Sequence, residues 1–138
     1  MTTTTPTTPR SAVQRSFAPL AGFTSLAILA QAITAGLFMA RRGQEGWVEA
    51  HNGIGYLTVL LALATGVVGL IAYRKAAPSL AWGGVVLALL VVAQLVIGLL
   101  ISDLEQRFWV SLHVPLALIV FGLTGWLAFR AAWWRRDG

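Results

Sequence analysis

Cysteine is absent from this 138-residue chain, and methionine occurs only at Met1 and Met39. The first absence excludes disulfides, iron–sulfur clusters, thiolate metal sites and haem attached through thioethers. The second disfavours copper, which favours soft sulfur ligands. Charge is almost as scarce: 11% of residues are charged against 57% hydrophobic, and the mean hydropathy is +0.76. A soluble domain carries about 25% charged residues. So few charges cannot coat a water-facing surface, and lipid is the expected solvent for most of the chain. The net charge of +5 does not call for nucleic acid, and no nucleic-acid partner is expected. The basic residues stand at the ends of apolar runs, where they set topology rather than form a patch.

What is present is long apolar sequence. After a polar Thr/Pro head (MTTTTPTTPRSAVQRS), expected to leave 1–17 as a disordered tail, four apolar runs span about 18–40, 47–73, 80–101 and 108–133. Each is near the roughly 20 residues that cross a bilayer. The first run is not expected to be a cleaved signal, because it is long and Phe38 spoils the small-x-small pattern before Ala40. The fold class expected is all-α integral membrane: a four-helix bundle over 18–134. Arg10, Arg15, Arg74, Lys75, Arg130, Arg135 and Arg136 fall on one side, and Arg41, Arg42 and Arg107 on the other. That asymmetry places both termini in the cytoplasm of a plasma-membrane protein. Trp47 and Trp109 are then expected at the outer interface, and Tyr73, Trp82, Trp133 and Trp134 at the inner one.

A shift of 62 positions lays the second half of the chain on the first. Gly36 meets Gly98, Gln44 meets Gln106, Trp47 meets Trp109, and His51 meets His113 (113 − 51 = 62), while Gln31 and Gln94 correspond with a slip of one. Each half, about 18–75 and about 80–134, is a helical hairpin that returns the chain to its starting side. Two such hairpins share one orientation about an axis along the membrane normal. That axis sets His51 and His113, the chain's two histidines, at one depth and facing each other.

Strongly polar side chains inside a span usually mark function, although a histidine near the surface also serves as an interhelical hydrogen-bond group. Two imidazoles alone make a poor zinc site. Glu49 is two residues from His51 and points to a different helical face. Haem suits a pair, because the porphyrin supplies four nitrogens and the protein only two axial ligands. His51 and His113 are therefore the expected metal ligands of one haem b per chain. The stripe His51, Gly55, Thr58, Ala62, Thr65, Gly69 and its partner His113, Ala117, Val120, Thr124, Ala128 are lean in side-chain bulk. Small residues also let membrane helices pack closely. Gly53, Gly55 and Ala117, beside the histidines, are the candidates for cofactor clearance. Pro115 frees a carbonyl in the preceding turn that is available to the His113 Nδ1–H, or it simply kinks the helix. Gln31 and Gln94 have two readings, interhelical hydrogen bonds or contact with a ligand or quinone. Arg41, Arg42 and Arg107 are placed to meet haem propionates, or to act as solvated loop charges beside Glu45 and Asp103.

Four helices with a histidine at the outer start of the second and another at the outer start of the fourth, about 62 residues apart, resemble one half of the haem A synthase family. The resemblance implies a pair of axial ligands at His51 and His113 around one haem, with Glu49 a loose match to that family's glutamate. The chain differs in matching one half only, in lacking a cysteine pair and in a shorter Glu-to-His spacing. It is also similar to small four-helix actinobacterial membrane proteins of unassigned function, which carry an "aHxxxGy" segment and a later Gln and His.

These readings lead to a b-type cytochrome that transfers electrons near the outer face. Membrane lipid surrounds it, and its redox partner is a quinol, an outer-face redox protein or a second copy of the chain. The alternative is a cofactor-free accessory subunit of a larger respiratory complex. An enzyme ranks behind both, because no nucleophile–base constellation or carboxylate pair stands inside the membrane.

Overall fold

A computed structural model describes residues 11–41, 44–104 and 107–137, with side chains as far as Trp134. Each apolar run is a helix, the one local structure that satisfies every backbone group within its own segment when no water is at hand. They are α1 (Ala12–Ala40), α2 (Glu45–Tyr73), α3 (Pro78–Ser102) and, after a 3-10 turn at Arg107–Trp109, α4 (Val110–Asp137). All four are long and apolar enough to cross a membrane. α1 begins six residues before the apolar run because Ser-x-x-Gln forms a capping box. The Gln14 amide N–H donates to Ser11 Oγ (3.3 Å), and the Ser11 N–H donates to Gln14 Oε1 (3.1 Å). The expected tail therefore contributes its last residues to a helix, and 1–10 lie outside the described residues. Pro78 opens α3 in its first turn, where a missing N–H costs no hydrogen bond.

Around the bundle, α1 touches α2 and α4, and α3 touches the same two. The pairs α1–α3 and α2–α4 are diagonals, with no Cα approach within 8 Å among the described residues. The chain passes up and down the four corners in order, as short connections dictate.

The duplication is visible in what is buried. Phe17, Ala18, Ala21, Thr24, Ile28 and Thr34 of α1 are buried, and so are Leu80, Ala81, Gly84, Leu87, Val91 and Ile97 of α3, each 63 positions later. On the other diagonal the offset is 62: Thr58, Ala62, Thr65 and Gly69 pair with Val120, Thr124, Leu127 and Ala131. The slip at Gln31 and Gln94 is thus the register of the buried positions of α1 and α3.

Packing is densest at the end bearing the termini. Phe17, Tyr73, Leu80, Leu87 and Leu127 are buried almost completely there and toward mid-bundle. Tyr73 is 0% exposed, so it is a core residue and not part of an interfacial belt. Its ring meets Phe17 and Trp134 edge-on at 5.3 and 5.2 Å, and its hydroxyl donates to the Gln14 carbonyl at 2.9 Å. α2 and α3 approach through backbone: a Cβ at Gly66 would stand 3.1 Å from the Gly84 carbonyl, and one at Gly84 3.2 Å from the Thr65 carbonyl. Leu26, Leu60, Leu89 and Leu118 project outward, more than half exposed, as the lipid-facing surface.

Candidate functional site: a histidine level in the bundle

His51 and His113 occupy equivalent places. Each lies six residues beyond the start of its helical segment (51 − 45 and 113 − 107), roughly 9 Å along the axis. They belong to the diagonal helices α2 and α4.

Each hairpin holds its histidine through a glutamine. The Gln31 side-chain amide donates to the His51 backbone carbonyl at 3.4 Å, and the Gln94 amide donates to the His113 carbonyl at 2.7 Å. These glutamines therefore bond between helices, to the very residues singled out as ligands. A Cβ at Gly55 would stand 2.9 Å from Gln31 Nε2, so its smallness makes room for the glutamine in this structure. Gly53 is exposed, with nothing near its hypothetical Cβ, and Ala117 is half-buried one turn below His113.

The His51 ring is oriented as well as anchored. Its Nδ1 lies 3.0 Å from the Gln31 carbonyl oxygen and 3.3 Å from Thr34 Oγ1. A carbonyl only accepts, so Nδ1 carries the proton, and in the neutral ring the lone pair is at Nε2. The Thr34 hydroxyl donates in turn to the carbonyls of Ala30 (3.1 Å) or Gln31 (3.0 Å). Phe38 packs edge-on to the same ring with centroids 5.5 Å apart.

The second hairpin lacks that orientation. Ile97 stands at the position of Thr34, and His113 Nδ1 and Gln94 Oε1 are buried with no hydrogen-bond partner. Of the two readings of Pro115, the one in which a freed carbonyl accepts from His113 Nδ1 is not seen. The His113 ring lies instead over Gly98, whose hypothetical Cβ would be 3.5 Å from Cε1.

Arg41 is exposed with its guanidinium 5.9 Å from the centre of the Trp47 ring, and Arg107 is exposed at the first residue of the 3-10 turn. Arg42 lies outside the described residues. Glu49 is exposed, and among the described residues no third His, Asp or Glu joins the histidines in a metal cluster.

Thr34, Phe38 and Gly98 were not legible as site residues. Thr34 alone had a signal, as a hydroxyl one turn from Gln31 in an otherwise apolar run. Searches against known protein families, curated proteins and solved structures find no match to this chain.

Proposed function

We propose that this protein is a small membrane b-type cytochrome, in which His51 and His113 hold one haem for electron transfer near the outer membrane face. The observation that carries the reading is the repeated Gln–His arrangement on diagonal helices, with the His51 Nδ1–H given to a carbonyl. Ligand histidines are oriented in this way, by an acceptor at Nδ1–H that leaves Nε2 for the metal. The donor set suits haem, which requires two neutral imidazoles and no carboxylate. The diagonal placement separates the two backbones, so a ligand between them contacts side chains.

Bound haem supplies a reversible one-electron iron couple, and two histidine ligands leave no open position for oxygen chemistry. The Gln31 carbonyl would fix the His51 ring, the Gln94 amide would hold the His113 backbone, and the apolar faces of α2 and α4 would exclude water. One haem near one face does not span a bilayer of about 30 Å. The electron is therefore exchanged with a quinol in the membrane or a redox protein on the outer face. Both termini are cytoplasmic in a plasma membrane on this reading, from the Arg and Lys distribution.

The test is an absorption spectrum of the protein purified from cells supplied with haem precursor. A Soret band that sharpens with distinct α and β bands on reduction supports the cytochrome. A colourless protein favours the second reading, a cofactor-free subunit of a respiratory complex. That reading has its own support, since His51 already has hydrogen-bond partners within the bundle.

A further inference from the structure

The end of α2 and the turn into α3 carry an open groove of about 450 Å³, bounded by Leu70, Ile71, Ala72, Arg74, Lys75 and Ala76. Its walls differ in kind. Ile71 is 69% exposed and continues the lipid-facing surface. Arg74 and Lys75, exposed as well, follow three and four residues later. Arg74 keeps helical backbone angles (φ −49°, ψ −39°), so a guanidinium and an apolar side chain share one face across one turn.

The two cations have no task within the bundle. Among the described residues their side chains make no hydrogen bond or ion pair. The described carboxylates, Glu45, Glu49 and Asp103, stand toward the far ends of α2 and α3. Lys and Arg at a helix C-terminus often bond its last carbonyls. Here other groups do so: the Ala72 carbonyl accepts from the Gln14 side-chain amide at 3.3 Å, and the Tyr73 carbonyl accepts from the Ala77 N–H at 2.8 Å.

Depth narrows the choice of occupant. Trp82, four residues into α3, is 58% exposed, and Trp133, at the same end of α4, is 49% exposed. Half-exposed tryptophans of this kind sit at the level of lipid headgroups. The groove therefore opens where a phosphate meets its acyl chains. Basic recesses at the ends of membrane helices suit anionic headgroups. A zwitterionic lipid brings its own cation to the phosphate, and a free phosphate has nothing to lay along Ile71.

We infer that the α2/α3 turn binds one anionic phospholipid, its phosphate held by Arg74 and Lys75 and an acyl chain lying along Ile71. The inference depends neither on haem nor on which side of the membrane this end faces.

Native mass spectrometry of the purified full chain in detergent, titrated with phosphatidylglycerol or with phosphatidylcholine of the same acyl chains, tests it. Each cation beside an anionic headgroup is worth about fivefold in affinity, so the first phosphatidylglycerol should bind about thirtyfold more tightly than phosphatidylcholine. Arg74→Gln and Lys75→Gln should each lower phosphatidylglycerol affinity about fivefold and leave phosphatidylcholine unchanged, and Arg74→Lys should keep the preference. Arg130→Gln, at the same end but on α4 and outside the groove, should change neither lipid. Equal affinity for the two lipids, or no binding of either, overturns the inference. So does an equal loss in Arg130→Gln, which would mean a diffuse basic surface, and so does displacement of the lipid by millimolar inorganic phosphate, which would assign the cations to a free anion.

Discussion

At the residue scale the two histidines are alike in place and unlike in surroundings. His51→Ala and His113→Ala are each expected to abolish low-spin haem binding, because one axial ligand would remain. A reduced spectrum with unchanged α and β bands in either variant would exclude the ligation. Thr34→Val removes a buried hydroxyl that faces His51 Nδ1 and two carbonyls. Interhelical hydrogen bonds in membranes average about 0.6 kcal/mol, so a loss of about 0.5–1 kcal/mol in steric-trap unfolding is expected. A loss of more than about 3 kcal/mol would mean that packing, not the hydrogen bond, governs the site. Both histidines were legible in sequence, because an imidazole is conspicuous in an apolar run. The role of Gly55 was not: its smallness has one reading beside a cofactor and another beside Gln31, and only coordinates say which neighbour fills the space.

At the scale of elements, the helices follow from the apolar runs, and their ends follow from local chemistry. The α1 start at Ser11 shows the limit of judging by hydropathy alone, since a capping box extends a helix into polar sequence. The α2–α3 crossing depends on glycine. At Gly66 and Gly84 the partner's backbone leaves no room for a side chain. Gly84→Val should push the helices apart and destabilise the bundle by about 1–3 kcal/mol. Gly22→Val, on α1 with nothing within 4 Å of its hypothetical Cβ, should have little effect on the same denaturation curve. Equal losses at the two positions would mean that the α2–α3 crossing is not close-packed. Tyr73 belongs to this scale too. Sequence position at a span's end suggested an interfacial ring, whereas contacts with Phe17 and Trp134 from two other helices make it core.

At the scale of the molecule, two hairpins of one orientation form a bundle whose halves differ by registers of 63 and 62. The cysteine-free chain permits a direct test of its orientation. Lys75→Cys is expected to react with a membrane-impermeant maleimide only after the cells are opened, and Gln44→Cys in intact cells. The reverse pattern would invert the proposed topology and put the histidines in the inner leaflet.

By itself the sequence determined four helices long and apolar enough to span a membrane, and the duplication that gives two histidines equivalent places in their helices, because hydropathy, length and periodicity are properties of the chain in one dimension. Tertiary structure decided which groups are paired. Hydrogen bonds in an apolar medium depend on which helix faces which, and that is how one hairpin closes its polar set through Thr34 while the other, with Ile97, leaves Gln94 and His113 each with an atom unpaired.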